Sequence, residues 1–163
     1  MRRAAVASVA LAVVLADRLS KWWVLGTLRP GDEISVVGTM IRFVHGENRG
    51  GLFGLLQGSA LLLVPLSAAV VVALLVAHER ESAQGPTLLT LGVGALIGGA
   101  VGNAIDRVGY GYVLDFVDIG AGALRFWTFN VADMGITSGI AILAADALHL
   151  GRRRDRAARD AHE

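Results

Sequence analysis

GPTLLTLGVGALIGGAVGNAIDR, residues 85–107, carries no charge before Asp106, and its apolar part is long enough to cross a bilayer as one helix. Gly94, Gly98 and Gly102 recur every four residues, so they line one face and let a neighbouring helix approach closely. The run does not open a helix after a strand, which makes these glycines packing positions rather than a phosphate-binding loop. It ends in Asn103, Asp106 and Arg107, whose i, i+3, i+4 spacing puts three polar groups on one face. Two compatible readings stay open there. Asp106 pairs with Arg107 or a neighbour while Asn103 bonds another helix, or the three orient a catalytic group.

The rest of the chain has the same apolar character. A hydrophobic fraction of 54% over 163 residues, with mean hydropathy +0.57, is too apolar for a one-domain soluble globule. A mainly α, integral membrane protein is therefore expected. Residues 55–77 contain no charge and form a second clear span, ended by His78-Glu79-Arg80-Glu81. The amino terminus, Met1-Arg2-Arg3 followed by an apolar run to Ala16, is patterned like a secretory signal peptide. Apolar sequence resumes at Trp22-Trp23-Val24-Leu25 after the polar insert Asp17 to Lys21, so one span over about 4–26 is the better reading, with the tryptophans at the interface. A further span runs over about 131–150. Four spans place both termini on one side, where Arg2, Arg3, Arg80, Arg152, Arg153, Arg154, Arg156 and Arg159 lie. The opposite loops hold Arg29, Arg42, Arg49, Arg107 and Arg125. The excess marks the terminal side as cytoplasmic. The expected organisation is a single four-helix domain, 1–151, with a basic cytoplasmic tail, 152–163, frayed after Gly151.

That tail fits the positive-inside pattern rather than a nucleic-acid module, which needs a basic face with base-reading partners; no nucleic-acid partner is expected. The chain has no cysteine, which excludes disulfides, a thiolate nucleophile and cysteine-ligated metals. His45, His78, His149 and His162 are scattered without paired spacing, so neither a metal nor a cofactor is expected. The serines lack a GxSxG setting. Outside the spans lie about 27–54, whose short β-branched runs broken by Gly31 and Gly38 predict a small extracytoplasmic β-element, and 106–129, read as an outward-facing loop.

The carboxylates of these outer segments carry the chemistry. Asp115 lies between Tyr112-Val113-Leu114 and Phe116-Val117, an apolar setting that raises a carboxyl pKa by desolvation. Asn130 and Asp133, three apart before an apolar run, form a helix N-cap pattern, which does not preclude catalysis. If Asp115 and Asp133 meet, repulsion makes them share one proton, as aspartic-protease dyads do. One can then take a proton from water while the other polarises a carbonyl. Asp118 is the rival, expected to be solvated or hydrogen-bonded. Asp17 and Lys21, at i, i+4, suit a charge-compensating pair or a substrate contact equally.

Four blocks in order resemble the bacterial lipoprotein signal peptidases, signal peptidase II: Asp17-x-x-Ser20-Lys21; Asn48-x-Gly50-x-x-Phe53-Gly54; Gly102-Asn103-x-x-Asp106-Arg107-x-x-x-Gly111-x-Val113-x-Asp115-Phe116; and Phe129-Asn130-x-Ala132-Asp133. The resemblance implies an intramembrane aspartyl endopeptidase of the bacterial inner membrane. It would need no metal, and would remove signal peptides from prolipoproteins before a diacylglyceryl-modified cysteine. It further implies Asp115 and Asp133 as the catalytic pair, with Asp17, Lys21, Asn48, Gly50, Asn103, Asp106, Arg107 and Asn130 binding substrate or supporting the pair. Globomycin-type peptides are the expected inhibitors, membrane lipid a partner, and a monomer the expected state. Leu52 and Trp127 depart from the family pattern beside the expected substrate groove. The alternative from another class is a small proton-coupled transporter using the same aspartates.

Overall fold

A computed structural model describes residues 2–50, 63–80 and 87–160. The chain runs α1 (Arg2–Thr27), β1 (Glu33–Val37), β2 (Ile41–Asn48), α2 (Leu63–Arg80), α3 (Leu88–Tyr110), β3 (Val113–Ala121), β4 (Leu124–Arg125) and α4 (Val131–Asp160). It is mainly helical with one small antiparallel sheet. Helix α1 has neither glycine nor proline before Gly26, so it passes unbroken through the polar insert, as expected. Past Thr27, Arg29-Pro30-Gly31-Asp32 turns the chain back, with the Asp32 carboxylate accepting the Arg29 N–H at 2.9 Å.

Helix α3 is the centre of the bundle and packs against α1, α2 and α4. Thr87 caps its start: the Thr87 hydroxyl accepts the Thr90 N–H at 3.3 Å and the Thr90 hydroxyl accepts the Thr87 N–H at 3.2 Å. Gly111, at φ +75°, ends it. The four-residue glycine repeat faces α1, since a Cβ on Gly98 would stand 2.7 Å from the Ala10 carbonyl oxygen and from Val13 Cβ. A second small face, at Gly99, meets α4, where a Cβ would fall 2.3 Å from the Ala132 carbonyl oxygen. Val6, Val93 and Ile97 form the buried core between helices, with Leu74 and Leu143 packed against it.

The four strands lie in the order β1-β2-β3-β4. The β-element expected within 27–54 is thus half of a sheet, and the stretch read as an outward-facing loop supplies β3 and β4. Its strand pattern was hidden because polar Asp115 and Asp118 interrupt the apolar positions and because Val113 to Phe116 are buried in succession, which leaves no polar–apolar alternation to read. Leu114 and Phe116 pack on Val24 of α1 and on Leu28 just past its end in a second core that seats the sheet on the helix end.

Helices α2, α3 and residues 131–148 of α4 are long and apolar enough to cross a membrane. Helix α1 is not among them by that measure because Asp17, Arg18 and Lys21 crowd its second half. Two boundaries move. Helix α3 continues past 105 to Tyr110, since Asp106 is paired inside the protein and its charge does not end the helix. Helix α4 continues through Gly151 to Asp160 instead of fraying, in keeping with the helix propensity of its alanines and arginines. Positions 55–62 and 85–86 of the expected spans lie outside the described residues, as do Leu52, Phe53 and Gly54.

Candidate active site

Period-two alternation in β3 turns Asp115 to the face opposite Leu114 and Phe116. Across the ladder it meets Gly46, where β2 is irregular between Phe43 and Gly46. A side chain at 46 would not fit, because its Cβ would stand 2.8 Å from the Asp115 carbonyl oxygen. Asp115 itself is only 5% exposed. Its Oδ2 accepts the Asn48 amide at 3.0 Å and its Oδ1 the Asn130 amide at 2.6 Å. Asn48 is set in turn by the Gly50 N–H, bonded to its Oδ1 at 3.1 Å.

Asp133 comes from the first turn of α4, and the expected cap is formed. The Asn130 Oδ1 accepts the Asp133 N–H at 2.9 Å, and the Asp133 Oδ2 accepts the Asn130 N–H at 3.3 Å. The same asparagine therefore caps the helix with its oxygen and holds Asp115 with its nitrogen. Asn103 completes the bridge: its amide donates to Asp133 Oδ1 at 2.8 Å and its oxygen accepts from Asn130 at 3.2 Å. Two carboxyl groups from a strand and a helix are thus linked through Asn130 and Asn103. Burial, and then the neighbouring charge of Asp133, push the Asp115 carboxyl up to about 7 against the opposing Asn48 and Asn130 hydrogen bonds. Near neutral pH one of the two can hold a proton while the other is charged.

Behind this pair lies a buried charge cluster. Lys21 Nζ lies 2.9 Å from Asp17 Oδ1 and 2.7 Å from Asp106 Oδ2, and 3.4 Å from Asn103 Oδ1. Asp17 accepts the Ala132 N–H at 3.0 Å, one of the free donors at the start of α4. Asp106 accepts the Leu114 N–H at 3.1 Å. Asp106 therefore pairs with α1 and not with Arg107. Asp17 and Lys21 are fully buried, which realises the charge-compensating alternative. Arg107 contributes its charge to the field at Asp133, Asp115 and Asp106, and its Nε is buried with no hydrogen-bond partner among the described residues.

Asp118, the rival, is hydrogen-bonded elsewhere, between Arg42 Nε and Arg125 Nε at 3.0 Å each. Burial pushes its carboxyl up, but Arg125 and Arg42 outweigh that and hold it below the ordinary carboxylate value. The sequence reading missed two positions. Gly46 was signalled by an isolated glycine in a strand run, whereas nothing local distinguished Arg18, which joins the buried cluster. Among the described residues no group of three His, Asp or Glu side chains is arranged to hold a metal ion.

The family description "signal peptidase (SPase) II" matches residues 9–149. This chain belongs to the signal peptidase II family. As a member of that family it is an aspartic-type peptidase and a multi-pass membrane protein. It is similar to the lipoprotein signal peptidase of Caulobacter vibrioides, with 42% identity covering 86% of this chain and 84% of the relative. It is also similar to that of Syntrophomonas wolfei, with 39% identity covering 90% and 94%. Among solved structures it resembles a bacterial membrane enzyme determined by the in meso method at 2.3 Å resolution. There the TM-score is 0.78 at 29% identity, over 86% of this chain and 85% of the other.

Proposed function

We propose that this chain removes the signal peptide from prolipoproteins by cleaving on the amino side of a diacylglyceryl-modified cysteine, with Asp115 and Asp133 as the catalytic pair. The observation that carries the reading is the bridge of Asn130 and Asn103 between the two carboxyl groups, one of which is poised near neutrality. The ionised carboxylate takes a proton from water, the water attacks the scissile carbonyl, and the protonated partner supports the developing oxyanion before giving its proton to the leaving amine. Asn48, Gly50, Asn103 and Asn130 orient the pair, Arg107 supplies positive charge beside it, and Asp17, Lys21 and Asp106 hold α1, α3 and α4 in place.

Helix α1, about 39 Å long at 1.5 Å per residue, is the fourth span, its exposed Leu11, Leu15, Leu19 and Trp22 facing lipid. Residues 1–151 form the peptidase domain and 152–163 a basic tail. Both termini lie in the cytoplasm of the bacterial cell, and the site opens at the outer face of the inner membrane. A lipid-modified substrate enters sideways from the bilayer; globomycin-type peptides compete for the same groove, and the enzyme works as a monomer. A proton-coupled transporter would hold its carboxylates near the bilayer midplane on broken helices. Here one is on a strand and one is in the first turn of a helix.

Asp115→Asn and Asp133→Asn are nearly isosteric and remove proton transfer. Each is expected to lower cleavage of a diacylglyceryl prolipoprotein by about 10²-fold or more while leaving the protein folded. Wild-type turnover in either variant would end the assignment.

A further inference from the structure

We propose that Arg18 is a positioning residue for the catalytic pair, its positive charge completing the neutral buried cluster on which the pair rests. The inference builds on the aspartyl-peptidase reading. Asp17 and Asp106 are both 0% exposed, and Lys21, 1% exposed, supplies one positive charge to two carboxylates. Arg18 supplies the second. Its Nη2 lies 2.9 Å from Asp17 Oδ2 and also bonds Asp106 Oδ1, while its side chain keeps 25% exposure. A buried cluster with one carboxylate uncompensated is costly, because burial strengthens every unbalanced charge.

Two short links carry this cluster to the reacting groups. Lys21 touches the oxygen of Asn103, whose amide holds Asp133. Asp17 holds the Ala132 N–H, one residue before Asp133. Without Arg18, Lys21 is drawn wholly to its two carboxylates and a net negative charge stands behind the pair. The charged groups around it are Asp17 and Lys21 of α1, Asp106 and Arg107 of α3, Asp115 of β3 and Asp133 of α4. Residues 51–77 contain no charged side chain that could substitute. A like charge nearby disfavours ionisation of a carboxyl, so loss of Arg18 moves the whole activity profile to higher pH.

The test is kcat/KM against pH, on a diacylglyceryl prolipoprotein, for the full-length protein and for R18K, R18Q and R18M. R18Q and R18M are expected to move both limbs of the profile upward by about 0.5–1 pH unit with KM little changed, and R18K to restore it. R18Q keeps hydrogen-bond donors to the carboxylates, so the charge is still tested if R18M does not fold. A merely structural role would lower the rate equally at every pH. An unshifted profile in R18Q, or the same shift in R18K, would overturn the proposal. Asp115→Asn run in parallel separates the two ideas: an inactive Asp115→Asn with an unshifted R18Q refutes only the role of Arg18, whereas an active Asp115→Asn refutes the catalytic pair on which that role rests.

Discussion

Asn130 holds Asp115 with its nitrogen and caps α4 with its oxygen. An amide suits both tasks because it donates to a carboxylate without exchanging a proton with it. Asn130→Ser divides them, since serine is a good cap but is too short to bridge to Asp115. The expected outcome is a melting temperature close to wild type with cleavage reduced about tenfold or more, the loss of one hydrogen bond to a charged group. A matched fall in both would show that the amide bridge acts on turnover only through stability. The pH dependence has a definite sign. Folding raises the Asp115 carboxyl from 3.8 to about 7, so in that window the folded state binds more protons than the unfolded one. Stability from this group is full below about 3.8 and is lost as pH rises through about 7. Asp115→Asn should flatten that part of a melting-temperature profile, and wild-type cleavage should decline above about 7 as the shared proton leaves. In the sequence Asp115 stood out because an apolar setting gave it no structural excuse. The family blocks named Asn48 and Asn130 as supporting residues, but which carboxylate oxygen each amide holds was not legible, because they lie 67 and 15 residues away along the chain.

Between elements, the distance from α3 to its neighbours sets where Asp133 and Asp17 sit. Gly99 faces the first turn of α4 with no room for a methyl group. Gly99→Ala should therefore destabilise the protein by about 1–3 kcal/mol through overpacking, and should lower turnover as well, because α4 moves with Asp133. Gly109→Ala, in the same helix with nothing within 4 Å of the added Cβ, should leave turnover unchanged and raise stability by up to about 1 kcal/mol from helix propensity. Equal losses in detergent melting curves for the two variants would contradict this packing account. The four-residue glycine repeat was legible as a packing face from its period alone. The strand at 113–121 was not, because the carboxylates of Asp115 and Asp118 break its apolar pattern.

At the scale of the whole molecule, the absence of cysteine makes orientation directly measurable. A cysteine placed at Thr39, exposed beyond β1, should react with a membrane-impermeant maleimide in intact cells. One placed at Arg156 should react only after permeabilisation. The reverse pattern would invert the proposed topology.

That the chain is a membrane helix bundle follows from its apolar runs, which report it through their length alone. Which residues match the signal peptidase II blocks follows from the sequence as well, because side-chain type and spacing are local properties. That the outer segments form one sheet, and that Asp106 pairs with α1 instead of Arg107, emerged from the folded chain. It alone revealed that Arg18 belongs to the buried cluster and that one asparagine serves both carboxylates. Such pairings depend on distances in space between residues up to 115 positions apart, and nothing in the linear order fixes those distances before the helices pack.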